Sequence, residues 1–261
     1  MSAWALLGVG AGAACALMAC LWLAQVASHD ATPVDVGWAY GIGLLGVLDA
    51  TLGGGALSQR LLAGALVALW SLRLGSYILL GRVLGRKGED RRYAEMRGRY
   101  GRRADRNFLV FFEAQALLIV VFSIPLLLAS YDRSRRIGAL EWIGVGLWAA
   151  GVLGESIADR QLAVFKADPA NRGRTARVGL WRTSRHPNYF FEWVVWVGLA
   201  LVAVPAPFGP LGMLTPALLL VLVLFVTGIP PSEKQALRSR GEDYRRYQRE
   251  TSVFVPWFPR R

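Results

Sequence analysis

Cysteine is nearly absent: the 261-residue chain has two, Cys15 and Cys20, both in its first apolar run. With no cysteine elsewhere to join them, a disulfide framework and a thiolate zinc site are excluded. The pair reads as two small apolar side chains. Histidine is as scarce, with two copies, and no HExxH run is present, so no metal site is expected. A P-loop, a GxGxxG turn following a strand and a Ser-His-Asp constellation are missing too, which removes the common soluble nucleotide-binding and hydrolase folds. Charged residues make up 18% of the chain, thin for a soluble domain of this length. Acidic side chains are the scarcer sign, 18 against 30 Lys and Arg, and the net charge is +12. That balance suits nucleic acid, but the basic residues lie between long apolar runs, so nucleic acid is not an expected partner. No internal repeat, low-complexity stretch or linker divides the sequence, which reads as one domain over 1–261.

What the sequence has in excess is apolar length. Hydrophobic residues make up 54%, Trp occurs ten times, and the mean hydropathy is +0.36. Seven runs approach the length of a bilayer-crossing helix, at about 3–28, 36–55, 61–83, 108–131, 138–158, 189–206 and 209–230. The first lacks a basic start and no clear cleavage pattern precedes the second, so it is expected to be a retained span. Segments 85–107, 159–187 and 231–261 hold nine, seven and eight Lys or Arg, 24 of the 30. The opposite connections hold only Arg60, Arg133, Arg135 and Arg136. Because positive loops stay cytoplasmic, these counts set the orientation. The expectation is an all-α integral membrane protein of seven transmembrane helices, with its N-terminus outside and its C-terminus cytoplasmic. In a bacterial cell it would sit in the inner membrane. The 29–35 connection, with Asp30 and Asp35, then falls inside and is the one loop whose charge opposes the rule.

Several polar residues lie inside the runs or at their cytoplasmic ends: Asp35, Arg73, Glu113, Gln115, Glu155, Asp159, Asn188 and Glu192. An ionisable group in hydrocarbon costs at least about 2.5 kcal/mol, so such groups face a protein interior. Arg73 and Tyr77 are four residues apart and share a helix face, as do Glu155 and Asp159, and Asn188 and Glu192. Three polar faces at the same membrane level point to one polar cavity; helix-to-helix hydrogen bonding is the competing role. Beside them lie basic loop residues, among them Arg82, Arg86, Arg91 and Arg92, then Lys166, Arg172, Arg174, Arg177, Arg182 and Arg185. A Tyr244-Arg245-Arg246-Tyr247 run follows near the end. Arginine grips phosphate through its planar fork, and tyrosine stacks on or hydrogen-bonds a nucleotide.

One of the two histidines, His186, stands in the run Leu180-Trp181-Arg182-Thr183-Ser184-Arg185-His186-Pro187-Asn188-Tyr189-Phe190-Phe191-Glu192. That run resembles the C-terminal signature of the steroid 5α-reductase family, and more closely its bacterial members once grouped as a domain of unknown function. Other matching pieces, in the same order, are Asp35-Val36-Gly37-Trp38, Arg73-Leu74-Gly75, Gly88-Glu89-Asp90-Arg91-Arg92-Tyr93 and Asp159-Arg160-Gln161. Gly228-Ile229-Pro230-Pro231-Ser232-Glu233 and Glu242-Asp243-Tyr244-Arg245-Arg246-Tyr247 complete the set. The resemblance implies a seven-helix membrane reductase that uses NADPH, with the cofactor in the C-terminal half, about 137–261, under cytoplasmic loops. It implies cofactor contacts at Glu155, Asp159, Lys166, Arg174, Asn188, Glu192 and Tyr244, with Arg73 and Arg82 on the third span. Arg185, His186, Tyr189 and Tyr247 stand within the same motifs and, with the basic loop residue Arg172, join the set.

The chemistry so implied is hydride transfer to the C=C bond of an enone lipid such as a 3-oxo-Δ4-steroid. Negative charge then develops on the carbonyl oxygen and needs a positioned donor. A carboxyl in an apolar cavity can stay protonated and donate. Asp35 is the candidate, Tyr77 the possible helper and Trp38 a cavity-lining or interfacial residue. Asp35 also stands just before an apolar run, where a helix N-cap belongs. A second reading is an S-adenosylmethionine-dependent methyltransferase of the isoprenylcysteine or phospholipid type. Those enzymes share an Arg-His-Pro-x-Tyr run, a later Glu (here Glu233) and a Tyr-x-x-Tyr tail. A third is a non-enzymatic lipid-binding or channel-like protein. The basic residues upstream of Asn188 favour a cofactor with several phosphates, and S-adenosylmethionine has none. The sequence sets neither the true substrate nor an oligomeric state.

Overall fold

The computed structural model describes residues 1–85 and 88–259. Arg86, read above as part of the basic 85–107 segment, lies outside them. Among the described residues every named element is helical, and the one extended pairing is a parallel bridge between Ser184 and Ser252. The chain divides into two compact units, Met1–Glu141 with Val202–Gly212, and Trp142–Leu201 with Met213–Arg261.

In the first unit, α1 (Ala3–Ser28) starts after Ser2, whose hydroxyl accepts the Ala5 N–H at 3.2 Å. α2 (Pro33–Leu52) starts at a proline, which has no N–H to leave unsatisfied there. Its cap residue is Thr32, so Asp35 is not the cap but lies within the first turn. α3 (Leu57–Ile78) runs on into a π-helical turn, Leu79–Leu84, that carries Arg82. α4 (Arg91–Tyr100) is capped by Asp90, which accepts the Arg92 N–H at 3.0 Å. α5 (Ala104–Ala129) returns through the unit. Small residues on α2 let its neighbours close in: a methyl at Gly41 would lie 2.7 Å from Ile119 of α5, and at Gly46 it would strike Val67 of α3. Met18, Ile42, Val67, Trp70, Phe108, Phe112 and Phe122 fill the resulting core.

The loops of this unit collect at two ends. At one, Ala31 N–H donates to Glu89 at 2.9 Å, Asp90 N–H to the Thr32 hydroxyl at 2.8 Å, and the Trp22 indole to the Asp105 carbonyl at 2.8 Å. At the other, Gly55 N–H donates to the Ser130 carbonyl at 2.9 Å and buried Gln59 reaches Ser134 and Glu141 at 3.0 and 3.2 Å. The acidic 29–35 connection therefore shares its end with residues 88–97, and its charge is answered by arginine there.

The second unit begins on α6 (Ala139–Ala167) and continues with α7 (Pro187–Ala203). α6 runs past the apolar run's end at 158, because a helix needs satisfied backbone bonds rather than apolar side chains. Glycines bring the two helices together: a methyl at Gly151 would sit 2.7 Å from the Val195 side chain and backbone N, and one at Gly154 would enter the Phe191 ring. α8 (Leu214–Val221) gives way to a π-helical turn, Leu222–Val226, closed by the Thr227 N–H on the Leu222 carbonyl at 2.8 Å. The run expected at 209–230 thus stays helical and carries a π-helical turn within it. α9 (Ile229–Arg240) and α10 (Glu242–Glu250) follow, joined at Gly241, whose φ of 54° favours glycine.

Among the described residues, four helices are long and apolar enough to cross a membrane: Ala3–Ser28, Leu57–Leu84, Arg91–Ala129 and Gly209–Arg240, and Pro187–Ala203 is a shorter apolar one. The protein is an α-helical membrane protein.

Candidate functional site

In the second unit, Glu155, Asp159, Leu162 and Lys166 recur on α6 at spacings of four, three and four, so they form one stripe along the helix. Eleven residues of rise carry it about 16 Å. Glu155 and Asp159 are buried, at 4% and 6% exposure, and Lys166 is exposed. The glycine contact with α7 sets Asn188 against this stripe, where its amide donates to Asp159 Oδ1 at 3.4 Å. One turn further along α7, Glu192 accepts the Trp196 indole N–H at 2.9 Å.

Where the stripe ends, Leu162 and Lys166 enter a cleft of about 620 Å³. Arg172 and Arg174 line it from the following loop, and Gln235, Ser239 and Arg240 from α9. Four cations stand around it against one carboxylate, Asp168. The Arg240 guanidinium lies over the Tyr244 ring, 4.9 Å from its centre. Asp243 fixes the loop beside the cleft, accepting the Thr175 N–H at 2.8 Å and pairing with Arg177 at 3.3 Å. Burial pushes the Asp243 carboxyl up, but the Thr175 hydrogen bond and the Arg177 charge hold it below the usual aspartate range.

Behind the cleft, Glu233 gathers four donors. Arg185 Nε is at 2.6 Å, Gln248 at 2.7 Å, and His186 Nε2 and the Tyr244 hydroxyl at 3.3 Å each. Burial and the Glu233 charge both push the Tyr244 phenol up, so it stays a neutral donor. Arg185 Nη1 donates to the Gln248 and Thr251 carbonyls at 3.0 and 2.8 Å, capping the end of α10. The Tyr189 ring lies parallel to His186 at 5.5 Å, and its hydroxyl meets Ser232 at 3.3 Å. Tyr247, also among the expected cofactor residues, is buried with its hydroxyl donated to the Trp181 and Ser184 carbonyls. It fastens the tail to the 181–184 turn and has no face on the cleft.

In the first unit, Asp35 is not in apolar surroundings. It accepts Arg92 Nη2 and the Tyr93 hydroxyl at 2.6 Å each, and Arg82 Nη1 at 3.3 Å. All three partners donate to it, the hydroxyl of buried Tyr93 among them. Trp38 lies edge-on to Trp70 and Phe122, at 6.1 and 5.4 Å, with its indole nitrogen buried and lacking a hydrogen-bond partner. Arg73 is half-buried and Tyr77 exposed, one turn apart on α3. Tyr93 and Arg92 were legible as part of the Gly88–Tyr93 run but not as partners of Asp35. Arg240 carried no signal beyond its charge.

Fold and site together define an α-helical membrane protein with a basic cleft joined to a buried carboxylate–amide pair. The chain belongs to the family described as "Protein of unknown function (DUF1295)", whose model matches residues 21–251. No curated protein and no solved structure matches it.

Proposed function

We propose that the protein is an NADPH-dependent membrane reductase related to the steroid 5α-reductases, acting on the C=C bond of an enone lipid. In this reading it crosses the membrane seven times, with its N-terminus outside and its C-terminus cytoplasmic. The observation that carries the proposal is the continuity of the α6 stripe, from the Asp159–Asn188 pair to a cleft walled by Lys166, Arg172, Arg174 and Arg240. The donor set fits the cofactor: guanidinium forks match phosphates, and a carboxylate beside an amide matches sugar hydroxyls and a carboxamide. When bound, NADPH supplies the hydride. Lys166, Arg172, Arg174 and Arg240 hold the phosphates, and Asp159, Asn188 and Glu192 orient the uncharged end. Glu233 and Arg185 keep α9 and α10 in place beside the cleft. In the first unit, Asp35 accepts the Tyr93 O–H and one N–H each from Arg82 and Arg92, and the guanidinium N–H groups left over are the donors offered to a polar ligand group there.

The test is NADPH binding to detergent-purified protein, followed by its oxidation across a panel of enone lipids. A charge-assisted contact is worth about 1.5–3 kcal/mol, so Arg174→Ala should weaken NADPH binding about ten- to a hundredfold with the protein still folded. Unchanged affinity would return this loop to topology alone. The convergence of Arg185 and His186 on Glu233 supports the methyltransferase reading, because it joins the residues that reading shares. Binding of S-adenosylmethionine in place of NADPH would decide for it.

A further inference from the structure

We propose that the turn from α4 into α5 is a binding surface for anionic phospholipid headgroups, formed by Arg99, Arg102, Arg103 and Arg106. The case rests on which arginines are already neutralised. α10 also carries three arginines on its surface, and all three are committed. Arg245 and Arg249 meet Glu242 at 3.5 and 3.0 Å, and Arg246 meets Glu250 at 2.8 Å. α4 as far as Arg97 is the same: Arg91 pairs with Glu95 at 2.9 Å, Arg92 with Asp35 at 2.6 Å and Arg97 with Glu89 at 2.8 Å.

Past Arg97 the pattern stops. Arg99 reaches only the backbone carbonyl of Glu95, at 3.4 Å, and among the described residues Arg102, Arg103 and Arg106 make no ion pair. All four are exposed. The acids within reach are already engaged, Glu95 by Arg91 and Asp105 by Gln25 at 3.4 Å and Arg97 at 3.8 Å. Four uncompensated guanidinium groups thus fall within eight residues of chain.

Their height in the fold points to headgroups. Ala104 and Phe108 turn inward at the start of α5, which leaves Arg106 on the outer side as the chain enters its apolar stretch. The Trp22 indole donates to the Asp105 carbonyl at this level, and tryptophan belongs at the membrane–water boundary. A guanidinium there meets lipid phosphate with its fork, in a field that falls off within a Debye length. The inference is independent of the reductase reading.

The experiment compares spin-labelled phosphatidylglycerol with spin-labelled phosphatidylcholine in phosphatidylcholine bilayers containing the protein, reading the motionally restricted fraction at low salt. The wild type should prefer phosphatidylglycerol. Arg103→Gln should lower that preference by about fivefold, as expected for one basic residue beside an anionic surface. R99Q/R102Q/R103Q/R106Q should abolish most of it, while R245Q/R246Q/R249Q should retain it. Equal association of the two lipids with the wild type would overturn the proposal and leave the patch to an acidic partner. A preference untouched in Arg103→Gln, or lost equally in the α10 variant, would overturn it in favour of net charge alone. If the quadruple variant does not fold, the single variant decides.

Discussion

At Arg185 one guanidinium meets three acceptors, Glu233 and the carbonyls of Gln248 and Thr251, so a single side chain ties the turn before α7 to both α9 and α10. Lysine offers charge without the fork and could not serve all three. Asp243 makes a similar tie at the loop beside the cleft, and its ionisation makes that tie pH-dependent. Its folded-state proton affinity is lowered, by the Thr175 hydrogen bond and Arg177 against the effect of burial. The stabilisation is therefore present above the ordinary aspartate value of about 3.9 and is lost as pH falls through the depressed folded value. Asp243→Asn should lower the thermal midpoint at pH 7, and the gap from wild type should close toward pH ~3. A gap that persists in acid would mean that the carboxylate's charge is not what holds the loop. Residue identities were the most legible part of the site. Asp159, Lys166, Arg174 and Asn188 were singled out by motif and lie on or beside one stripe. Asp35 shows where that legibility stopped, since Arg82 and Tyr93, 47 and 58 residues away in sequence, decide whether it donates or accepts.

Among the elements, α6 and α7 show how far apolar patterning reaches. The runs at 138–158 and 189–206 located both helices, but hydropathy registers the end of an apolar stretch and not the end of a helix. Lys166 consequently looked like a loop residue and is the last turn of α6. The π-helical turns at Leu79–Leu84 and Leu222–Val226 had no sequence mark, because i→i+5 bonding depends on what the turn must reach, not on which residues form it. The α6–α7 contact depends on glycine in a way that can be measured. A methyl at Gly154 collides with the Phe191 ring, and forcing it in costs about 1–3 kcal/mol. Gly154→Ala should lower the thermal midpoint and weaken ligand binding at Asn188 together, whereas Gly146→Ala, where a methyl meets nothing within 4 Å, should do neither. Equal effects at the two glycines would show that the contact does not set the register.

For the whole molecule, the topology proposal rests on which loops share an end. Segment 132–136 lies with 53–56, and 29–32 lies with 88–97, as alternating spans require within the first unit. In a background with Cys15 and Cys20 replaced, Arg133→Cys should react with a membrane-impermeant thiol reagent on intact cells. Reaction only after permeabilisation would invert the orientation. The units themselves had no signature in the sequence, since no linker or change in composition marks Glu141 or Leu201. One consequence follows from α6 being a single unbroken helix. It is a ruler: its buried Glu155 and its exposed Lys166 are a fixed distance of about 16 Å apart, with buried Asp159 about 10 Å from the lysine. A ligand gripped at both ends gains the effective concentration of a tethered pair. Either half of a dinucleotide alone, adenosine 2′,5′-bisphosphate or nicotinamide mononucleotide, forfeits that gain, and the two halves mixed together do not restore it.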